Sequence, residues 1–302
     1  MMPNSLKDYC RDLTGYGAKP PDPHWPGGAR TAVQFVINYE EGAENAILHG
    51  DSQAEAFLSE LVGAKNIPGM RNMQMESVYE YGARAGFWRL YRIFTDAAAP
   101  VTVFGVAMAL ARHREAVAAM RAASWEIASH GYRWIDYQNV PESVEREHLR
   151  AAIEIHKEVT GAAPEGWYQG RTSPNTARLV AEEGCFTYDA DSYADDLPYY
   201  DHRHGRAQLI VPYSFDTNDM KFVGYNGFTE GAQFYRYLRD SFEMLHQEGG
   251  RMMSVGLHCR IAGRPGRALA VRQFLDDLKS RPDVWIARRI DIAHHWLRNF
   301  PP

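Results

Sequence analysis

Short apolar runs alternate with stretches of helical periodicity along this chain, and no other feature narrows its possible folds as much. The runs are TAVQFVINYE (31–40), VTVFGVAM (101–108), SWEIASHGY (124–132), GWYQG (166–170), FTYDADS (186–192), AQLIVPYS (207–214), MMSVGLHC (252–259) and VWIARRI (284–290). Helical patterns lie between them over 77–97, 113–123, 141–160, 175–183, 229–247 and 267–280. Strands separated by helices call for parallel pairing through helical crossovers. Roughly eight such strands favour a closed barrel over an open sheet. The expected fold class is α/β. The chain lacks a Gly-rich dinucleotide fingerprint, a phosphate loop and an internal repeat.

Length and composition set the remaining bounds. The 302 residues would allow two domains of ordinary size, yet α/β barrels fill such a length as one. The reading is one barrel domain over 1–302, with the Pro-, Gly- and Asp-rich segment 1–30 as an irregular arm. A hydrophobic fraction of 45% excludes a disordered chain, and a net charge of −5 gives no general attraction to nucleic acid or to an anionic membrane. No run reaches the ~18 apolar residues of a membrane span, and the opening MMPNSLKDYCRD lacks a secretory apolar stretch. Cys10, Cys185 and Cys259 are scattered and odd in number, which argues against a disulfide framework and fits a reducing cytoplasm.

The reactive side chains gather at one kind of place, the C-terminal end of a predicted strand. Glu40 and Glu41 end the first run, His130 follows SWEIAS, Arg171 follows GWYQG, and His258 follows MMSVGL. Asp189 and Asp191, with Asp195 and Asp196 beyond, close FTYDADS. A parallel barrel opens all these ends onto one face, so distant residues converge on one mouth. Each also has a plainer reading. A single His can hydrogen-bond within a core, Asp195-Asp196 can be turn chemistry, Arg171 can be a surface charge, and adjacent Glu40 and Glu41 face opposite ways if the strand persists.

At these residues the chain resembles the polysaccharide deacetylase (NodB-homology) superfamily, and more closely its metal-independent, PuuE-type allantoinase branch. The matching segments are Asn38-Tyr39-Glu40-Glu41-Gly42, His130-Gly131-Tyr132-Arg133-Trp134, Gly170-Arg171-Thr172-Ser173-Pro174-Asn175, Asp191-Ser192-Tyr193-Ala194-Asp195-Asp196-Leu197-Pro198-Tyr199 and Leu257-His258-Cys259-Arg260. Further similarity lies in Asp12–Gly17, Pro23–Pro26, Glu76–Gly82, Ser129–Tyr137 and Asp216–Met220, and so covers nearly the whole chain. The resemblance implies a deformed (β/α) barrel.

In the metal-using relatives, one Asp of the first motif and two His of the second hold a divalent ion. Glu41, His130 and Trp134 take those positions here. An indole offers a donor and no lone pair for a metal, whereas a zinc site needs three protein ligands. No metal or other cofactor is therefore expected, unless Asp191, Asp219 or Glu76 supplies a third ligand. The implied reaction is ring opening of allantoin, a small cyclic ureide whose leaving nitrogen is stabilised by a neighbouring carbonyl.

By resemblance Glu40 is the general base, paired with Arg171. His258 is the acid, held by Asp195, while His130 and Glu41 pair where a metal would sit; Glu40 and Glu41 could exchange roles. Glu76, Tyr132, Asn218 and Asp219 are candidate substrate contacts, with Trp134 and Trp167 as flat walls. Two rivals stand beside this reading. One is a metal-dependent cyclic-imide hydrolase or polysaccharide or peptidoglycan deacetylase, which a His at 134 would favour. The other is a degenerate barrel that binds without turnover. The resemblance also implies a homo-oligomer, a tetramer, with the arm and IAHHWLRNF (292–300) as contact surfaces or as packing on their own barrel.

Overall fold

The computed structural model describes residues 11–60, 65–224 and 227–302. Strand β1 (Thr31–Tyr39) is buried along its whole length, as its unbroken β-branched and aromatic sequence requires. It pairs in parallel with β8 (Arg251–His258) from Thr31 to Asn38. On its other edge β9 (Val284–Ile286) takes the first three residues and β2 (Thr102–Gly105) takes Val36 to Tyr39. The sheet continues through β3 (Glu126–Ser129), β4 (Gly166–Trp167), β5 (Tyr188–Asp189) and β7 (Gln208–Ile210), and ends at the antiparallel β6 (Tyr199–Asp201).

The seam between β7 and β8 is bridged by loop segments rather than by a strand ladder. An isolated parallel bridge joins Asn218 to Gly256, and the Met252 amide donates to the Asp196 carbonyl at 3.1 Å. The result is a curled, deformed barrel.

Helices cover its outside: α1 (Met73–Tyr81), α2 (Phe87–Asp96), α3 (Ala107–Arg112), α4 (Arg114–Ala122), α5 (Glu142–Thr160), α6 (Thr176–Glu183), α7 (Gly231–Glu248), α8 (Pro265–Lys279) and α9 (Arg289–Asn299). Each of the eight sequence-predicted strand segments contains an observed strand, but β6 was not anticipated. The segment VWIARRI is a strand only to Ile286. The Arg288 amide and guanidinium donate to the Asp291 carboxylate at 3.1 and 2.7 Å instead, and α9 starts at Arg289. The C-terminal segment packs on its own barrel: Ile292, Ala293 and Trp296 are buried, and Trp296 and His295 meet Trp25 of the arm at 6.4 and 5.2 Å. Residues 1–10 of the arm lie outside the described residues.

Below the barrel's mouth the interior is filled by a buried polar network. Arg289 donates to Gln34 at 2.5 Å, to Ser254 at 3.0 Å and to the carbonyls of Val211 and Pro212. Glu126 accepts from Thr102 at 2.6 Å, Tyr188 at 2.7 Å and the Ile290 amide at 3.0 Å. Every one of these contacts is the kind of partner a buried charge needs to persist.

Helices α1 and α2 are joined by a π-helical turn, Gly82–Gly86, the widened geometry that often marks a functional region. Both terminal glycines are demanded by close approach. A Cβ on Gly82 would fall on the Glu41 carboxylate, and one on Gly86 would fall on the Cys259 carbonyl. Gly86→Ala is therefore expected to destabilise by about 1–3 kcal/mol in urea unfolding. Gly266→Ala, where an added Cβ meets open space in α8, should be neutral or slightly stabilising.

Candidate active site

Strand alternation decides which side chains face the barrel's interior. From β1, Asn38 and Glu40 point inward, while Tyr39 packs outward on Phe87 at 5.4 Å and Glu41 points outward to the π-helical turn. From the end of β8, His258 points inward. After β4, Tyr168 points inward and Trp167 outward, where it packs on Phe186 at 5.1 Å. A cavity of about 510 Å³ opens above these ends. Glu40, His130 and His258 line it with Asn38, Asn218, Tyr168 and Tyr213; Trp134, Arg171, Phe57, Asp136, Gln138 and Phe215 are among its other lining residues.

Glu40 is the centre of this arrangement and is 1% exposed. Its Oε1 lies 3.4 Å from the Nε2 of His130 and 3.4 Å from the Nε2 of His258. Its Oε2 accepts from Arg260 Nη1 at 2.6 Å. His258 is oriented by Asp219, whose Oδ1 accepts from Nδ1 at 2.6 Å and whose Oδ2 accepts from the His258 and Ala262 amides at 2.7 and 2.9 Å. Asp219 starts a short 3₁₀ turn, Asp219–Phe222, capped by the Asn218 side chain. His130 Nδ1 donates to the Tyr168 carbonyl at 3.2 Å, which turns Nε2 toward Glu40.

Burial would raise the Glu40 carboxyl, but Arg260, His258 and the imidazole hydrogen bonds overcome it and hold the group well below the usual carboxylate range. Burial pulls His258 toward the neutral form, yet Glu40 and Asp219 push it up to about 9. At neutral pH the pair is therefore a carboxylate and an imidazolium. Burial, reinforced by Glu40, raises Glu41 to about 7 against the pull of Arg260. Asp191 is pushed up to about 6, chiefly by burial, and accepts the amides of Gln169 and Gly170 at 2.7 Å each. It braces the loop after β4.

Several sequence expectations are corrected by this geometry. Arg171 does not pair with Glu40. It sits at the cavity rim on Glu55 at 3.1 Å, stacked over Phe57 and Trp134, because its loop crosses the mouth rather than entering it. Asp195 does not hold His258 but caps a turn through the Leu197 amide at 3.0 Å. His130 pairs with Glu40 and not with Glu41, since the two glutamates face opposite sides of the strand end. Glu76 lies outside the cavity, paired with Arg71 at 2.5 Å. Tyr132 packs on the ring of His148 at 4.9 Å, and Trp167 faces the helices. Trp134, Asn218, Glu40, His130 and His258 share the cavity, whereas Asp219, expected as a substrate contact, is fully buried and holds His258 instead.

The sequence pattern left Arg260, the partner of Glu40 Oε2, unassigned. Two adjacent glutamates at a buried strand end were the available signal that a cation had to lie nearby. Asn38, Tyr168 and Tyr213 also line the cavity and were missed. Period-2 phase from Glu40 would have found Asn38.

The positions that hold an ion in metal-using relatives do not fit one here. Glu41 accepts the amides of Glu40 and Arg260 at 3.1 and 3.2 Å, facing away from His130, and Trp134 has no lone pair to give. Among the described residues no three His, Cys, Asp or Glu side chains converge as a ligand set.

Two measurements check this electrostatic picture. The folded Glu41 titrates near 7 against an ordinary 4.5, so the stability it contributes is fully present below about 4.5 and is lost as pH rises through 7. Glu41→Gln should escape that loss, gaining on the order of 3 kcal/mol relative to the native chain between those limits in denaturant titrations. Asp219→Asn should lower the His258 midpoint from about 9 toward its ordinary 6.5, read by NMR of the ring protons.

Comparison with known proteins agrees with this architecture. Residues 74–184 match the family model for polysaccharide deacetylase. A Schizosaccharomyces pombe protein named "Putative polysaccharide deacetylase" is 38% identical over 96% of this chain and 98% of its own. The crystal structure of PuuE allantoinase is 54% identical, with a TM-score of 0.96 over 98% of this chain and 99% of that one. That of a "probable Polysaccharide deacetylase" from Pseudomonas aeruginosa PAO1 is 55% identical, with a TM-score of 0.95 over 97% and 100%. With identity sustained across almost the full length of each partner, the chain belongs to the polysaccharide deacetylase family.

Proposed function

We propose that this protein is an allantoinase, a hydrolase that opens the cyclic amide of allantoin to give allantoate, and that it does so without a metal. The observation that carries the reading is Glu40: a buried carboxylate beneath a small-molecule-sized cavity, with two imidazoles on one oxygen and a guanidinium on the other. The similarity to PuuE allantoinase over nearly the whole chain supports the substrate. The aromatic rings of Tyr168 and Tyr213 suit a flat heterocycle, and Asn38 and Gln138 offer polar groups to its N–H and C=O edges.

In this mechanism Glu40 accepts a proton from water as the water oxygen bonds to the ring carbonyl carbon. His258, as imidazolium, gives its proton to the departing ring nitrogen as the C–N bond breaks. The two transfers assist each other. Once His258 is neutral, one of the charges that depress Glu40 is gone and the carboxylate becomes a better base. The proton then returns from Glu40 to His258 across their 3.4 Å separation, restoring the starting state. His130 faces the same oxygen with its Nδ1–H engaged on the Tyr168 carbonyl, so it would stabilise the developing oxyanion as an imidazolium, donating from Nε2. Ring closure holds the scissile amide in one orientation, which reduces the ordering the site must impose.

The test is allantoin loss with and without excess chelator. Turnover should survive chelation, whereas Glu40→Gln and His258→Ala should each lower kcat by roughly 100- to 10,000-fold. Activity that requires added metal, or near-native kcat in both variants, would overturn the assignment.

A further inference from the structure

Arg260 has no direct contact with the cavity, yet three features single it out. Its side chain is fully buried at a tight turn, in which the amides of Ile261 and Ala262 both donate to the His258 carbonyl at 3.0 and 2.9 Å. That turn folds the residue back beneath the strand end. There Nη1 donates to Glu40 at 2.6 Å and lies 4.0 Å from Glu41, while the backbone amide donates to Glu41 at 3.2 Å. One residue therefore meets both buried glutamates.

The other side of the guanidinium is aromatic. Its carbon lies 4.4 Å from the centre of the Tyr79 ring and 5.1 Å from that of Trp134. Nε and Nη2 are buried and have no hydrogen-bond partner among the described residues. The group is thus held by one short ion pair and two ring faces, an arrangement suited to a planar cation and to neither an ammonium nor a neutral side chain. Two carboxylates at a dry strand end require a positive charge nearby to remain stable. Here a covalently tethered one is supplied.

We propose that Arg260 is the resident cation of this site, a positioning residue packed against Tyr79 and Trp134 that offsets the charge of the two glutamates and aims Glu40 at the imidazoles. This rests on the allantoinase reading for its kinetic consequence only. It also gives position 134 a purpose, since the indole supplies a flat face for the guanidinium rather than a ligand. Glu40 is faced by His130 just after β3, His258 at the end of β8 and Arg260 just past it, Glu41 beside it, Tyr79 from α1 and Tyr213 after β7, so Arg260 is the fixed charge among several titrating neighbours.

The experiment compares Arg260→Met, Arg260→Lys, Trp134→Phe and Trp134→Leu. The pH dependence of kcat and KM for allantoin is followed, and the Glu40 carboxyl is titrated separately by isotope-edited infrared difference spectroscopy. In Arg260→Met the acid limb and the carboxyl midpoint should both move to higher pH, by roughly 10- to 1,000-fold in proton affinity. Its kcat should fall far more than KM changes, and Arg260→Lys should recover part of the loss. In the infrared titration the carboxyl midpoint of Trp134→Phe should stay close to the native one while that of Trp134→Leu shifts toward that of Arg260→Met, a contrast that decides the matter if Arg260→Met does not fold. An unmoved carboxyl midpoint in Arg260→Met, or equal midpoints for the two Trp134 variants, overturns the proposal. Absence of allantoin turnover in the native protein alongside a moved midpoint would refute the substrate reading and leave the role of Arg260 standing.

Discussion

The short ion pair between Arg260 and Glu40 is the interaction on which this site is built. A carboxylate sealed at a strand end is unstable alone, and every neighbouring feature follows from keeping it charged. The chain turns sharply after β8 to bring the guanidinium under it. Tyr79 and Trp134 close over the guanidinium, and Glu41 is held to backbone amides on the far side of the strand. His258, placed by Asp219, then brings a second positive charge to the same carboxylate.

A second buried guanidinium, Arg289, lies deeper in the same barrel, and an aromatic layer separates the two. Phe104 stacks on Tyr168 at 4.6 Å and meets Tyr213 edge-on at 5.3 Å. Arg289 sits beneath Phe104 and Tyr213 at 5.4 and 5.6 Å, and His130 packs on Tyr168 at 4.9 Å from the other side. The interior is therefore a column of alternating character: polar base, aromatic floor, ionised carboxylate with its imidazoles, open cavity. By gripping the carbonyls of Val211 and Pro212, Arg289 also fixes the segment that delivers Tyr213 to the floor.

Much of this was legible in the sequence because it follows from periodicity. Apolar runs located the strands, and parallel topology brought Glu40, His130 and His258 to one face before any coordinates. Pairing between loops was not legible. Arg171 and Arg260 are both arginines just past a strand end, and Asp195 and Asp219 are both aspartates in turns. Which one reaches inward depends on how its loop folds back, a tertiary outcome that no local pattern encodes. Phase failed where strands are shortest: β4 contributes two residues, too few to reveal that Tyr168 faces in and Trp167 out. The strand β6 reads as turn chemistry because its sequence, Tyr199–Asp201, is polar and follows a proline.

The widened turn at 82–86 serves two surfaces that a regular helix could not satisfy together. Upstream, α1 keeps Tyr79 against the guanidinium; downstream, α2 lays Phe87, Leu90 and Phe94 on the barrel. One residue corresponds to about 100° of helical rotation. Excising a single residue here would swing the whole apolar stripe of α2 off its seat while leaving the upstream half untouched. Insertions and deletions at this bend are thus constrained by angular phase rather than by length, and the bend behaves as a gear between the chemistry and the scaffold.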